Sequence, residues 1–497
     1  MKPQKAVVIG AGFSGLAAAI TLANSGYEVT LLEKHPTPGG RARVFKKDGF
    51  TFDMGPSWYW MPDVIAGFFR KYNAEGLLPE LVRLNPSYQV IFGESNTQTV
   101  PAGYTALKET FEAIEPGSGA KLDIFLNEAQ QKYEAAMGKF INKPCISVTE
   151  FLDTDILKSA LKLDLLSSYS NHVRRYFKSE KILQMLEFPI LFLGALPKDI
   201  PALYSMMNYA DIKLGTWYPM GGFGKVIDAF VKLAEQKGVT FYFDADVKGF
   251  DVSSGEVTKV ITDKGDFEAD VVVSSADYHF TEQLLPENYR NYTEKYWDKR
   301  VMAPSCLLYY VGINKKLGKL LHHNLFFEEN FATHAHTIYT EPSWPQKPLY
   351  YVCCPGKTDA SVAPEGMENI FLLIPVAPGL EDTPEIRQHY FNETIARLEQ
   401  YCGEAIKPHI VSYTDYAVSD FKADYNAFKG NAYGLANTLK QTAFFKPGIR
   451  NKKIANLFYT GQLTVPGPGV PPSVISGEIV AGHIIKTSKK HVYESIV

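Results

Sequence analysis

Cysteine is scarce and unpatterned in this chain. Cys145, Cys306, Cys353, Cys354 and Cys402 are the five among 497 residues, odd in number and without CxxC spacing or an accompanying histidine pattern. That excludes a disulfide framework and a zinc finger alike, and it implies a reducing compartment. Cys353 and Cys354 fall in the apolar run LYYVCC and read as buried strand cysteines. Charge of one sign is also missing: Lys+Arg 51 against Asp+Glu 54 gives a net −3, so there is no basic excess to recruit nucleic acid. No apolar run approaches the ~18 residues of a spanning helix. The segment KAVVIG from Lys5 already reads as a strand, leaving no room for the apolar stretch of a signal peptide. The chain is therefore expected in the cytoplasm, either free or peripheral on the inner face of the cell membrane. Nucleophile elbow, Walker loop and HExxH are absent, as are repeats and low-complexity stretches. His334 and His336 lack a third ligand; together with His322 and His323 they read as loop or surface histidines, and no metal is expected.

What is present suits a large globular protein. Hydrophobic residues make up 45% and charged residues 21%, and the length suggests two or three domains, which an α/β enzyme can interleave along the chain. Aromatics reach 13%, with Tyr 29 and Phe 31, a composition suited to lining an apolar cavity. The amino-terminal pattern is specific: an apolar strand from Lys5, GAGFSG at 10 to 15, the helical stretch LAAAITLANS, Gly26, and the strand EVTLLE ending at Glu33. This is one βαβ unit for a dinucleotide. Gly10 permits the tight turn, Gly12 lets a pyrophosphate approach the backbone, and Gly15 lets helix and strand pack closely. The helix start directs N–H groups and its positive dipole end at the phosphates. Glu33 stands where a carboxylate accepts from a ribose and disfavours a 2′-phosphate.

The continuation HPTPGGRARVFKKDGFTFDMGPSW resembles the large flavoprotein group of amine oxidases, protoporphyrinogen oxidases and carotenoid desaturases. The resemblance implies that Gly39, Gly40 and Arg41 lie along FAD, followed by Phe52, Asp53 and Gly55. Arg41 would supply a planar cation to the pyrophosphate, its other reading being a solvated loop arginine; Asp53 reads equally as a cofactor contact or as a buried turn carboxylate bonded to backbone N–H groups. Two later pieces should return to the same sheet. One is the glycine turn at 221 to 224 with its helix, the strand VTFYF, a β-meander and a buried parallel strand VVVSS, in which Val247 is expected to offer its backbone to the adenine. The other is NLFYTGQLTVPGPGVPPSVISGEIVAGHII, a strand, Gly461, a Pro/Gly loop and a helix starting near Ser473. Here the likeness narrows to bacterial-type phytoene desaturases through Pro466, Gly467, Gly469 and Val470, although Gln462, Leu463 and Val465 depart from the common form. Segments 193 to 222, 430 to 435 and 441 to 447 extend it over nearly the whole chain.

The implied fold is α/β: a Rossmann-like FAD domain from 1–75, 210–298 and 445–497, with an inserted α+β substrate domain and helical lid from 76–209 and 299–444. The latter includes a helix-rich stretch from about 105 to 190 and the strands SCLLYYVGI, PLYYVCC and NIFLLIPV. The implied cofactor set is Gly10, Gly12, Phe13, Ser14, Gly15, Glu33, Lys34, Gly39, Gly40, Arg41, Gly55, Pro56, Ser57, Val247, Ser275, Gly461, Gln462, Gly469, Val470 and Ser473. The implied chemistry removes a hydride to the flavin and a proton from the neighbouring carbon of a long apolar polyene, with oxygen or a quinone as electron acceptor. Asp53, Trp217 and Tyr218 adjoin the flavin turns, but the residues name no base. Residues 172 to 196, in which Arg174, Arg175, Lys178 and Lys181 precede an apolar run, form a candidate membrane-docking face, the alternative being a solvated basic helix followed by core. The leading expectation is an FAD-dependent carotenoid desaturase acting on a phytoene-type precursor or at the 3,4 bond of a 1-hydroxycarotenoid. Another oxidase of the same superfamily, or a prenyl-lipid escort protein without flavin, are the alternatives; the intact glycine set speaks against the escort.

Overall fold

A computed structural model describes residues 2–93, 95–146, 167–191 and 193–494; the part of the expected helix-rich stretch at 147–166 lies outside the described residues. The strand Lys5–Ile9 is flanked in parallel by Glu28–Leu32 and Val271–Ser274, and the sheet is completed by Thr240–Tyr242 and Leu457–Tyr459 at its edges. Three distant stretches of chain thus build one parallel sheet, whose apolar strands are covered on both faces. The helix Phe13–Ala23 is buried almost all round, as its uniformly apolar sequence requires. It lies against the helices Phe223–Gln236 and Val470–Glu494. The latter begins three residues before the expected Ser473, because the Ser473 N–H already donates to Gly469 O at 2.9 Å. A three-stranded antiparallel meander, Val247–Ser253, Glu256–Thr262 and Gly265–Glu268, leads into Val271–Ser274.

The second sheet has seven strands, ordered Ile410–Tyr416, Ser305–Ile313, Glu368–Val376, Tyr350–Cys353, His323–Phe326, Tyr88–Ile91 and Thr97–Val100. Its central strands Ser305–Ile313, Glu368–Val376 and Tyr350–Cys353 are largely apolar because both faces are covered there, whereas the edge strands Ile410–Tyr416 and Thr97–Val100 are partly exposed. Cys306, Leu308 and Tyr310 face one core, whereas Leu307, Tyr309, Val311 and Ile313 face another built with the helix Pro384–Cys402. The same alternation turns Tyr351 and Cys353 to the first side and Val352 and Cys354 to the second.

The helices Ser118–Ala135 and Glu180–Leu191 close over the first side. Here the docking face expected at 172 to 196 is corrected. Ile182, Leu183, Met185, Leu186, Phe188 and Ile190 are buried, and Arg174 pairs with Glu187. The apolar run packs inward because the sheet offers it an apolar partner, so the solvated-helix alternative describes it. Among the described residues, no helix is long and apolar enough to cross a membrane.

The contact between the first and last helices generates a test. A Cβ at Gly477 would stand 2.3 Å from Ser14 O, whereas at Gly482 nothing lies within 4 Å. Gly477→Ala is expected to cost ~1–3 kcal/mol by overpacking and Gly482→Ala to gain up to ~1 kcal/mol of helix propensity, both read from denaturant unfolding.

Candidate functional site

The carboxyl ends of the parallel strands converge on one edge, where ligands of open α/β sheets bind. Gly10 N–H donates to Leu32 O at 2.7 Å, Ser275 N–H to Ile9 O at 2.8 Å, and Thr460 N–H to Ser274 O at 2.9 Å, tying the four strand ends together. Gly10 has φ +98, and a Cβ at Gly15 would sit 1.9 Å from Gly10 O, so neither position accepts a side chain. Gly39 N–H donates to Ala11 O at 2.8 Å, and a Cβ at Gly40 would lie 3.3 Å from Gly12 Cα. Ser14 Oγ meets Ser275 Oγ at 2.7 Å, with Gly461 against Ser14. Thus Gly10, Gly12, Ser14, Gly15, Gly39, Gly40, Ser275 and Gly461 are brought to one place.

Three features of that place fit a dinucleotide. The helix Phe13–Ala23 has no side-chain cap at Gly12, so its first N–H groups and dipole are available to an anion. Glu33 is buried, with Ala11 N–H donating to its Oε2 at 2.7 Å and His35 N–H to its Oε1 at 3.0 Å; each carboxylate oxygen keeps a lone pair for a hydroxyl. Arg41 leans on the Tyr425 ring at 5.0 Å and donates from one terminal nitrogen to Asn431 O, while its Nε is buried without a hydrogen-bond partner among the described residues. Burial lowers its pKa against the opposing attraction of Tyr425 and Asp277, so a further anion beside it would be stabilising.

Other expected residues offer only backbone. The Phe13 ring packs against Phe230 at 5.4 Å, Lys34 Nζ donates to Ala423 O, and Gln462 donates to Asn431. Val247 is buried under the sheet near Leu32, and Ser473 lies within the first turn of the last helix. Asp53 proves to be a buried turn carboxylate, accepting from Phe223 N–H at 2.9 Å and Gly224 N–H at 3.1 Å; desolvation nevertheless raises its pKa to about 6. Trp217 Nε1–H donates to Leu214 O and the Tyr218 hydroxyl to Asp359, so neither is poised as a base.

Gly55, Pro56, Ser57, Gly469 and Val470 instead border a cavity of about 620 Å³ between the two sheets' territories, within the range of ligand sites. Its wall includes Trp60, Phe188, Leu325, Phe327 and Leu373, and no aspartate or glutamate among the described residues. The Pro/Gly loop reaches it through the cis bond Val465–Pro466. Behind the loop stands a residue the sequence did not flag: Lys446, whose Nζ is buried with no hydrogen-bond partner among the described residues, has its pKa lowered to about 7 by desolvation, and lies 3.3 Å from where a Gly467 Cβ would be. No motif announces it, because only the fold brings 446 against 467.

The histidine expectation is also corrected. His322, His323 and His334 are buried rather than on the surface, His322 in the bend before a strand, His323 in that strand and His334 in a helix, and His336 alone of the four is exposed. His334 Nε2–H donates to Pro375 O at 2.8 Å while its Nδ1 accepts from Leu349 N–H at 2.9 Å, and burial lowers it to about 4. The polar backbone ends of two strands thus account for a histidine in an apolar wall.

Comparison with known proteins agrees with this geometry. The family model described as flavin containing amine oxidoreductase matches residues 13–485. A carotenoid 3,4-desaturase of Haloarcula japonica is 41% identical over 97% of this chain and 98% of its own length. A zeta-carotene-forming phytoene desaturase of Myxococcus xanthus is 30% identical over 97% of this chain and 94% of its own. Among solved structures, an oxidoreductase from Methanosarcina mazei shares the fold with TM-score 0.64 at 16% identity, covering 96% of this chain and 100% of that one. A largely apolar cavity beside a glycine-built anion cradle, and this likeness over almost the full length, have one reading: the chain belongs to the flavin-containing amine oxidoreductases and, within them, to the carotenoid desaturases.

Proposed function

We propose that this carotenoid desaturase is FAD-dependent and acts on an acyclic C40 polyene, either a phytoene-type precursor or a 1-hydroxycarotenoid desaturated at the 3,4 position. The observation that carries the reading is the cavity of about 620 Å³, bordered at once by the Gly55–Ser57 turn and by Gly469 and Val470, with no carboxylate in its wall among the described residues. The 41% identical relative named for the 3,4 reaction supports the second substrate class. The two sheets support a cofactor domain from 1–75, 210–298 and 445–497 and a substrate domain from 76–209 and 299–444.

Bound flavin would supply the hydride acceptor. The chain's own part is binding, orientation and dryness. Gly12, Gly40 and the uncapped helix start would hold the pyrophosphate, Arg41 would pair with it, and Glu33 would accept from the adenosine ribose. The cavity's largely aromatic and aliphatic wall, in which Lys143 is the one formal charge among the described residues, would bury the polyene in register against the flavin, and leaves apolar contact as the main source of recognition. A membrane store suits so apolar a substrate. A docking face is better sought at the cavity's rim than at 172–196: Phe444 and Phe445 are 43% and 53% exposed next to Ala443, which borders the cavity.

The test is expression in a bacterium accumulating successive carotenoid intermediates, with chromatography of the pigments. A product with a longer conjugated system is expected; turnover of amines alone, or purified protein with no flavin spectrum, would overturn the proposal. Arg41→Met is expected to weaken flavin retention roughly 10- to 100-fold, the loss of charged hydrogen bonds of ~1.5–3 kcal/mol, measured by equilibrium dialysis. Ala335→Trp, which thrusts an indole into the cavity, is expected to abolish product while flavin content stays unchanged. Phe444→Ser with Phe445→Ser is expected to lower co-sedimentation with liposomes severalfold; unchanged binding would remove the rim from the docking face.

A further inference from the structure

Outside the cradle and the main cavity, two histidines and a cysteine converge in the second sheet. The strand His323–Phe326 pairs antiparallel with Tyr350–Cys353, placing His323 directly opposite Cys353. Directly opposed residues share one face of the sheet. Just before the strand the chain bends at His322, whose carbonyl accepts from Cys354 N–H at 2.7 Å, and its ring comes to 4.5 Å from that of His323. One ring nitrogen of each histidine and the Cys353 Sγ all lie within 4.8 Å of one another, and all three residues are buried.

Each histidine is oriented by a hydroxyl on its other nitrogen. His322 Nδ1 meets Thr358 Oγ1 at 2.7 Å, and His323 Nδ1 meets the Tyr351 hydroxyl at 2.6 Å. Since the Tyr351 hydroxyl donates to Ser57 Oγ at 3.0 Å, the hydrogen toward His323 must come from its Nδ1, leaving Nε2 as a bare acceptor. Both Nε2 atoms are buried with no hydrogen-bond partner among the described residues. Such a group costs ~1–3 kcal/mol when left unmet, and two side by side with a thiol need a common partner. A void of about 20 Å³ beside His322 and Cys353, lined also by Asp53, Ser57 and Tyr218, has room for one water-sized occupant.

We propose that His322, His323 and Cys353 bind one thiophilic cation of the zinc class, a site beyond the desaturase reading and independent of it. Two neutral imidazoles and one thiolate form the donor set, and water in the void completes a tetrahedron. The hydroxyls of Thr358 and Tyr351 fix the rings from behind, as outer partners of metal-bound histidine do. Binding exchanges the thiol proton for the metal: the S–H bond breaks, an S–metal bond forms, and one proton leaves to solvent without any redox change. With bonds of ~2.0–2.3 Å, the donors must draw together by about 1 Å from their widest separation. The His323 ring stacks on Trp58 at 3.9 Å, and Tyr351 holds Ser57. The cation would therefore clamp the Ser57–Trp58 stretch of the main cavity's wall, replacing the sequence's expectation of no metal.

Full-length protein purified without a histidine tag and stripped with chelator is titrated with Zn2+ and, separately, with Co2+. One zinc per chain by elemental analysis, release of a proton, a thiolate-to-cobalt charge-transfer band in the difference spectrum and a raised melting temperature are expected. Thr358→Val should weaken zinc binding roughly 10- to 100-fold, and Cys353→Ser should abolish the cobalt band. His322→Asn reports the same loss should Cys353→Ser fail to fold. Absence of stoichiometric zinc, or binding and spectra unchanged in Thr358→Val and in the ligand variants, would overturn the proposal in favour of a bridging water.

Discussion

A Cβ atom at residue 15 would stand 1.9 Å from the carbonyl oxygen of Gly10, one at 55 would stand 2.4 Å from that of Arg41, and one at 477 would stand 2.3 Å from that of Ser14. These three backbone approaches hold the first helix against its strand, the Arg41 loop against the cavity turn, and the last helix against the first. Everything downstream presupposes them. Only when they close do the strand ends, Glu33, Arg41 and Ser275 face one space, and only then does the Pro/Gly loop reach the same region as Gly55 and Ser57. The glycines are thus kept by van der Waals exclusion rather than by flexibility.

The seven-stranded sheet supplies the complementary half. Because both of its faces are covered, each strand commits alternate residues to two different environments: one side borders the cavity, the other is anchored by the helix Pro384–Cys402. The cavity wall is consequently as rigid as the core behind it, a requirement for holding a flexible apolar chain in one register. Buried polar residues on this side are tied down singly. His334 is satisfied by Pro375 and Leu349, and Asp53 is spent on the first turn of the helix Phe223–Gln236 rather than on chemistry.

The cradle was legible in the sequence because its requirements are local: a turn glycine, an approach glycine and an acid at fixed spacing mean the same thing wherever they occur. The strands at 305–313 and 368–376 were legible for a similar reason, as runs too apolar to face water. What could not be read depends on partners far along the chain. The run at 182–190 has the composition of a lipid-facing patch, and only the sheet opposite makes it core. His322 and His323 sit between ordinary loop residues, yet pairing with 350–353 buries them. Lys446 becomes a buried cation only through Gly467.

The interleaving of the parallel sheet bears on synthesis. Its edge strand Leu457–Tyr459 leaves the ribosome some 450 residues after Lys5–Ile9, which at ~5–20 residues per second is a delay of roughly 20–90 s. Once Val271–Ser274 has also emerged, the apolar nascent sheet still has one flank bare and its glycine-lined edge incomplete until Leu457–Tyr459 arrives. A holding chaperone, or early docking of the nucleotide on the finished βαβ portion, would shield the growing chain until translation delivers the missing strand.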